Sequence, residues 1–289
     1  MDIFGIAALQ LEGQGGSNVD SMIEEIDTVR RRFPWVQMVL LGELNAFGAR
    51  VGDAEALPSP TEQRFADAAR RNGIWLIPGT MFERASDGVY NTASVINPAG
   101  NVVARYRKTF PFCPYEQNVV CGNELCTFEV PGVGRFGVAI CYDMWFPELV
   151  RSLVLSGAEV ILHPSMTNTI DRDVEVCMAR AHAAMNQCYF VSVNVAGRLG
   201  SGDSCIYGPG GELIHRAGKT REIVPVELDF GYLRRVRRTG WQGLGQPLKS
   251  LRDSKMDFTP QLSIAARSKA LRDLGALELR RVEPPDDAV

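Results

Sequence analysis

The chain alternates short apolar runs with longer stretches in which apolar residues recur every three or four positions. Residues 3–10 and 36–41 are apolar runs rich in aliphatic side chains, which is typical of buried strands. Between them, apolar residues recur with a period close to 3.6 over residues 19–33. This period predicts a helix that Asn18 caps and Pro34 ends.

The same alternation continues to residue 229, with Gly, Pro and Asn at the boundaries. Two predicted strands, residues 90–96 and 102–108, form a hairpin around an Asn-Pro-Ala-Gly-Asn turn. The other predicted helices are residues 61–73, 147–155 and 172–187, and the other predicted strands are residues 74–78, 135–140, 160–163, 189–195, 205–207, 212–215 and 224–228. Because no linker interrupts this alternation, we expect one α/β domain over residues 1–229, with two mixed β-sheets packed face to face and helices outside.

Residues 230–289 follow a different pattern and form a C-terminal extension. The extension starts with a basic segment, contains a helical period near residues 262–279 and ends in an acidic Pro-Pro-Asp-Asp segment. It holds many large apolar residues, which solvated tails lack. We therefore expect it to pack on the core domain or on a partner subunit, and the second option predicts a homodimer or a higher homo-oligomer.

Charge and cysteine content exclude several classes of protein. The formal net charge is −3 and there is no basic run beyond residues 30–32, which argues against nucleic-acid and anionic-membrane partners. The apolar runs are too short to span a bilayer, and the N-terminus does not resemble a signal peptide. Seven cysteines without a Cys-x-x-Cys pair, together with only three histidines, favour a reducing cytoplasm over a disulfide framework or a structural zinc site.

Three residues with reactive side chains, Glu43, Lys108 and Cys141, lie at the ends of predicted strands. Reactive groups of α/β proteins gather at the carboxyl ends of strands, so these three can meet there. A cysteine at a strand-to-helix turn lies near N–H groups that favour its thiolate, and a carboxylate and an ammonium are the groups that activate it. Taken singly, Cys141 is also typical of a packed small side chain, Glu43 of a helix cap or a solvated loop charge, and Lys108 of a solvated charge.

Specific motifs surround these residues. They are Tyr-Asn-Thr-Ala at 90–93, Asn-Pro-Ala-Gly at 97–100, Tyr-Arg-Lys at 106–108, Gly-Val-Ala-Ile-Cys-Tyr-Asp-Met-Trp-Phe-Pro-Glu at 137–148, Gly-Ala-Glu-Val-Ile at 157–161, Gly-Asp-Ser at 202–204 and Pro-Gly-Gly at 209–211. With them, the chain resembles the nitrilase superfamily, the carbon–nitrogen hydrolases, over about residues 4–229. Residues 106–116 and 178–189 look most similar to the aliphatic amidase and formamidase branch. The resemblance implies a four-layer αββα sandwich that usually dimerises.

The resemblance also implies site residues. The Glu-Lys-Cys triad of the family corresponds to Glu43, Lys108 and Cys141, and its second glutamate corresponds to Glu116. The chain departs from the family pattern at residues 117–122, where a glycine-rich aromatic segment is usual. Because that segment lies near the acyl pocket of the family, the substrate of close relatives does not carry over to this chain.

Acyl transfer through a thioester uses these groups and needs no metal or organic cofactor. Lys108 and the backbone N–H of Tyr142 are expected to hold the oxyanion. Two further residues are predicted to contact the substrate. Trp145 either walls the acyl pocket or packs in the core, and His163 either faces the site or makes structural hydrogen bonds.

Three functions remain open on the sequence. The first is hydrolysis of a small amide with release of ammonia, and the second is the related chemistry of a nitrilase or an N-carbamoyl amidohydrolase. The third is a non-catalytic binding protein that kept the fold. Retention of all four residues, Glu43, Lys108, Glu116 and Cys141, argues against the third function.

Overall fold

Two β-sheets form the centre of the protein, and the computed structural model describes residues 2–14, 16–113 and 115–256. The strands are β1 (Ile3–Gln10), β2 (Glu12–Gly13), β3 (Met38–Leu41), β4 (Trp75–Ile77), β5 (Met81–Ala85), β6 (Gly88–Ile96), β7 (Val102–Arg107), β8 (Cys126–Val130), β9 (Gly134–Val138), β10 (Val160–Ser165), β11 (Tyr189–Asn194), β12 (Ala196–Gly197), β13 (Cys205–Tyr207), β14 (Leu213–Arg216) and β15 (Glu222–Asp229). The α-helices are α1 (Val19–Arg32), α2 (Pro60–Asn72), α3 (Pro147–Leu155), α4 (Asp171–Asn186), α5 (Phe230–Thr239) and α6 (Pro247–Arg252).

Both large sheets mix parallel and antiparallel pairs. The first has the order β15-β1-β3-β4-β6-β5, with β7 paired to β6, and the second has the order β14-β13-β11-β10-β9-β8. Strands β1, β3 and β4 run parallel in the first sheet, as do β9, β10 and β11 in the second. Their carboxyl ends therefore lie together at one edge of each sheet, where α/β proteins usually place their sites.

The two sheets pack face to face through one apolar core. In this core the rings of Phe4 on β1 and Phe136 on β9 lie 5.5 Å apart, and both are buried. Helices α1 and α2 cover the outer face of the first sheet through residues such as Ile26 and Phe65. Helices α3 and α4 cover the second sheet through an apolar cluster that includes Leu153. These layers confirm the predicted αββα sandwich.

The start of α1 differs from the prediction in a way that affects the site. Asn18 lies at the N-cap, but its side chain accepts no hydrogen bond from the helix. Its amide instead donates to the carbonyl oxygens of Gln14 and Asn45, at 3.1 and 2.9 Å. The predicted Asn18 cap is therefore wrong, and the side chain fastens the loop that follows Glu43 to the start of the helix.

The C-terminal extension begins inside the core. Phe230 and Leu233 on α5 are fully buried, and the Phe230 ring lies 6.5 Å from that of Phe4. The predicted helix near residues 262–279 lies outside the described residues, so packing on a partner subunit stays a prediction. Among the residues that the structure describes, no helix combines the length and the apolar character needed to cross a membrane.

Candidate active site

Glu43, Lys108, Glu116 and Cys141 line one cavity of about 440 Å³. Glu43 follows β3, Lys108 follows β7, and Cys141 starts the 3-10 helix Cys141–Trp145 beyond β9. The cavity therefore lies where strand ends from both sheets meet. The structure thus brings together the four residues that the sequence analysis assigned to catalysis.

The centre of the site is an ammonium shared by two carboxylates. Lys108 Nζ donates to Glu43 Oε1 at 2.8 Å and to Glu116 Oε2 at 2.7 Å. All three residues are buried, and none is more than 6% exposed. Two carboxylates and one ammonium leave one negative charge uncompensated beside Cys141, so this cluster of three side chains can take up a proton.

A buried amide that the sequence analysis did not single out joins the two carboxylates. Asn91 on β6 donates through Nδ2 to Glu43 Oε1 and to Glu116 Oε1, both at 2.8 Å. Its backbone carbonyl accepts from the N–H of Lys108 at 2.8 Å. Asn91 therefore contacts all three charged residues and fixes their spacing. The only sequence signal for it was its place in the motif at residues 90–93.

Burial and neighbouring charges shift the proton affinities of these groups. Burial raises the pKa of Glu43, and the positive charge of Lys108 opposes the rise. Burial alone would lower the pKa of Lys108, but the negative charges of Glu43 and Glu116 raise it well above its usual value. Lys108 therefore stays an ammonium, and Glu43 is a stronger base than an exposed glutamate.

Cys141 lies in an uncommon backbone position and rests as a thiol. Its φ of +48° is in the left-handed region, which residues with a side chain rarely adopt. Burial raises the pKa of the Cys141 thiol, and the negative charge of Glu43 raises it further. In the free protein, burial therefore outweighs the nearby groups that favour the thiolate. The thiol needs a base, and Glu43 lines the same cavity.

Tyr142 and Trp145 line the same cavity as Cys141. Tyr142 is the second residue of the 3-10 helix, and N–H groups in the first turn of a helix have no partner within it. The Tyr142 N–H is therefore suited to hold an oxyanion formed next to Cys141. Trp145 also packs against the apolar cluster under α3 and α4, so it does both things that the sequence allowed. Contact of either residue with a substrate stays a prediction.

His163 does not line this cavity, which corrects its assignment as a substrate-binding residue. The side chain is fully buried on β10, with Nε2 2.9 Å from the Cys141 carbonyl oxygen and Nδ1 3.0 Å from Ser192 Oγ. Burial lowers the pKa of His163 to about 3, so the imidazole is neutral. His163 therefore lies behind the nucleophile and holds its backbone.

A further buried carboxylate holds the turn that carries Cys141. Asp143 Oδ2 accepts from the hydroxyl of Tyr106 at 2.7 Å and from the backbone N–H of Ile140 at 2.9 Å. Burial raises the pKa of Asp143 to about 6, and these hydrogen bonds oppose the rise. Because Tyr106 belongs to β7, the bonds set the position of Cys141 relative to Lys108.

The carboxylates of the site have partners within the protein. Glu43 and Glu116 share Lys108, and Asp143 is held by Tyr106. In the described part of the chain, no group of three or more His, Cys, Asp or Glu side chains is arranged to hold a metal ion. That the chemistry needs no cofactor stays a prediction.

Comparison with known proteins relates this geometry to a family. A family model described as "Carbon-nitrogen hydrolase" matches residues 6–238. Human deaminated glutathione amidase is 32% identical over 207 residues, which cover 64% of this chain and 63% of that protein, slightly less than two thirds of its length. A formamidase of Bacillus thuringiensis is 28% identical over 237 residues, which cover 77% of this chain and 70% of that protein.

A solved structure gives the same result for the fold. The crystal structure of Saccharomyces cerevisiae Nit3, described as a member of branch 10 of the nitrilase superfamily, superposes with a TM-score of 0.76 at 27% identity. The match covers 82% of this chain and 94% of Nit3. Since the family match runs from β1 into α5 and the two-sheet fold is the same, the chain belongs to the carbon–nitrogen hydrolases of the nitrilase superfamily.

Proposed function

We propose that this protein hydrolyses the carbon–nitrogen bond of a small amide through a thioester on Cys141 and releases ammonia. The observation that carries the proposal is a buried thiol that lines one cavity with Glu43, a carboxylate that shares the ammonium of Lys108 with a second carboxylate. Similarity to deaminated glutathione amidase and to formamidase supports an amide substrate.

In the first half-reaction, Glu43 accepts the thiol proton while Sγ of Cys141 bonds to the amide carbon. The carbonyl electrons move onto oxygen, and the Lys108 ammonium and the Tyr142 N–H hold the resulting oxyanion. When the C=O bond re-forms, the C–N bond breaks. Glu43 returns its proton to the leaving nitrogen, which departs as ammonia and leaves a thioester.

In the second half-reaction, water attacks the thioester carbon and Glu43 accepts a proton from it. The same two donors hold the second oxyanion. The C–S bond then breaks, the proton returns from Glu43 to Sγ of Cys141, and the carboxylic acid leaves. Glu116 shares both Lys108 and Asn91 with Glu43, so it keeps the base and the oxyanion donor in register.

The charges around the cavity limit the acyl group. A volume of about 440 Å³ suits a small molecule. A carboxylate next to the reacting carbon would face Glu43 and Glu116, which repel it. Arg198 also lines the cavity, is exposed, and forms no ion pair with any other described residue. We therefore expect an uncharged group beside the amide, with any carboxylate placed far enough away to contact Arg198.

Ammonia release by the purified protein tests the proposal. The substrates are short aliphatic amides, ω-amides of dicarboxylic acids, nitriles and N-carbamoyl compounds. We expect amides to be the fastest substrates, Cys141→Ala to release no ammonia, and hydroxylamine to convert the thioester into a hydroxamate. Faster release from a nitrile or a carbamoyl compound, or no release from any substrate, would overturn the proposal.

A further inference from the structure

A second buried carboxylate lies on the other side of Cys141. Glu175 on α4 is 3% exposed, lines the cavity, and takes no part in the proton transfers described above. Its Oε1 accepts from Thr167 Oγ1 at 3.0 Å, and its Oε2 accepts from Arg172 Nη1 at 3.0 Å. Thr167 Oγ1 lies 3.8 Å from Cys141 Sγ. Only one hydroxyl therefore separates this carboxylate from the nucleophile.

The donors and acceptors in this chain have one consistent arrangement. A carboxylate only accepts hydrogen bonds, so Thr167 gives its single hydroxyl hydrogen to Glu175. The Thr167 oxygen then offers only lone pairs to the sulfur of Cys141 and to the hydroxyl of Ser165, which lies 3.1 Å away. While Glu175 is ionised, Thr167 therefore cannot donate to the sulfur.

This orientation affects the reactivity of the sulfur. A hydroxyl hydrogen pointed at the sulfur would favour the thiolate form, and a more stable thiolate is a weaker nucleophile. Because Thr167 offers the sulfur only lone pairs, it does not stabilise a thiolate. Glu43 must therefore accept the thiol proton. The thiolate then forms only as the bond to carbon forms.

The cation paired with Glu175 is also tied to the backbone of Cys141. Arg172 Nη2 donates to Ser192 Oγ at 3.2 Å, and His163 Nε2 donates to the Cys141 carbonyl oxygen at 2.9 Å. Because a carbonyl only accepts, a neutral His163 carries its hydrogen on Nε2 and accepts at Nδ1 from the Ser192 hydroxyl, at 3.0 Å. The contacts close a ring that starts at Sγ and ends at the carbonyl of the same cysteine. Its members are all buried: Thr167, Glu175, Arg172, Ser192 and His163.

We propose that Glu175 is a positioning residue for the nucleophile. It turns the Thr167 hydroxyl hydrogen away from the sulfur, and its ion pair with Arg172 anchors the ring that holds the left-handed backbone of Cys141. Such a backbone conformation persists only where the surroundings enforce it. The kinetic part of this proposal rests on the proposed function, whereas its effect on thiol reactivity does not.

Thr167→Val tests the hydroxyl, because it keeps the shape of the side chain and leaves Glu175 paired with Arg172. Misplacing a reacting group costs up to about 100-fold, so we expect kcat to fall about 10- to 100-fold with KM changed less than about threefold. Thr167→Ser should restore most of kcat. The matched control is Thr92→Val, which removes a similar bond of 2.7 Å to Glu83 on the outside of the first sheet. This control should keep wild-type kinetics.

Iodoacetamide labelling of Cys141, read by mass spectrometry, tests the orientation without any substrate. Thr167→Val removes the lone pairs that disfavour the thiolate, so the labelling profile should move to lower pH. In Glu175→Gln, Arg172 can only donate and takes the amide oxygen, so the amide nitrogen faces Thr167 and donates to it. The Thr167 hydrogen can then turn to the sulfur, and the labelling profile should move to lower pH.

The positioning role is supported if Glu175→Gln shifts the profile in the wild-type background but not in the Thr167→Val background, and circular dichroism checks that all the variants fold. An equal shift from Glu175→Gln in both backgrounds, which loss of the Glu175 charge alone would give, would overturn it. Wild-type kcat in Thr167→Val, or an equal loss in Thr92→Val, would also overturn it. If wild-type protein releases no ammonia from any substrate and the labelling shift in Glu175→Gln still depends on Thr167, the proposed function fails and the positioning role of Glu175 stands.

Discussion

Two buried ion clusters flank Cys141, and they differ in charge balance. In the cluster next to the first sheet, Glu43 and Glu116 share the single ammonium of Lys108. In the cluster on α4, one carboxylate, Glu175, pairs with one guanidinium, Arg172. A buried charge without a partner is costly, so a protein keeps one only where it has a use. The unbalanced cluster is therefore suited to proton transfer, and the balanced one to holding structure.

The two cations match these different tasks. The ammonium of Lys108 has three donors, and after Glu43 and Glu116 have each taken one, the third is left for an oxyanion. The planar guanidinium of Arg172 donates in fixed directions to Glu175, Ser192 and the carbonyl of Asp203. Lysine thus allows the charge to be shared with a substrate, whereas arginine locks its neighbours in place.

The largest expected effect is the loss of the proton transfer between Cys141 and Glu43. Cys141→Ala and Glu43→Gln should each lower kcat by about 10⁴-fold or more. The first variant cannot form the thioester, and the second cannot transfer the proton. The double variant should be no slower than the slower single one, since the two groups act as a unit. Ammonia release measures all three rates. Losses that multiply would show that Glu43 acts independently of the cysteine.

Replacing the two cations separates the tasks of the clusters. Lys108→Met leaves two buried carboxylates without their cation and Arg172→Met leaves one. Breaking a buried ion pair typically costs about 3–5 kcal/mol of unfolding free energy. Only Lys108→Met also removes an oxyanion donor, which is worth a further 10²- to 10³-fold in kcat, roughly. Urea unfolding and ammonia release give the two readouts. Equal kcat losses in the two variants would contradict the division of tasks drawn here.

A smaller effect is expected when the spacing of the unbalanced cluster is disturbed. Asn91→Leu removes hydrogen bonds that favour the ionised forms of Glu43 and Glu116, so the pKa of Glu43 should rise further. The acidic limb of the kcat–pH profile should then move to higher pH, with a loss in kcat of about tenfold. The control is Asn72→Leu, whose amide donates to Asp27 at the surface. An unshifted profile in Asn91→Leu would mean that Asn91 only packs.

The sequence predicted the positions of Glu43 and Lys108 well because both follow regular strands, whereas Glu116 was assigned from the family resemblance. Helix α3 has the predicted bounds, Pro147–Leu155, and the hairpin of β6 and β7 lies where the Asn-Pro-Ala-Gly-Asn turn placed it. Strand ends converge in this fold, so residues placed after strands could be brought together before the structure was known. The predicted strand at residues 135–140 ends earlier, at Val138, because the chain then turns into the left-handed conformation of Cys141.

The balanced cluster was missed because its members carry no local signal of burial. On α4, a charged residue is ordinarily exposed, and only the spacing of Arg172 and Glu175 at i and i+3 indicated a pair on one face. Asn91 in the middle of a buried strand gave no sign of the direction of its amide. For His163, the sequence left open whether it faces the site or makes structural hydrogen bonds, because its partners depend on β11, far along the chain.

The last expected effect concerns stability rather than turnover, namely its pH dependence on the ring side of Cys141. His163 has a folded pKa of about 3, below its usual 6.5, because burial and the nearby charges of Arg172, His182 and Lys108 disfavour the imidazolium. Its contribution is therefore complete above pH 6.5 and is lost as pH falls towards 3. His163→Gln keeps an amide that can donate to Cys141 and does not titrate. At pH 4.5 the variant should therefore escape about 2–3 kcal/mol of acid destabilisation that the wild type suffers.

Asp143 works in the opposite direction and sharpens this test. Its folded pKa of about 6 lies above the usual 3.8, so its contribution to stability is present at low pH and is lost as pH rises through this window. In the wild type, His163 and Asp143 partly offset each other between pH 4 and 6, roughly. His163→Gln removes one of the two opposing pH dependences of the unfolding free energy, so its stability relative to wild type should increase steadily from pH 7 to 4.5.

Urea unfolding at these two pH values gives the difference in unfolding free energy between variant and wild type. The control is His215→Gln, beside Glu222 at the surface. If the unfolding free energy changes equally between the two pH values in the wild type and in His163→Gln, the imidazole is not held neutral by its burial. The ring behind Cys141 then does not have the hydrogen-bond directions assigned to it.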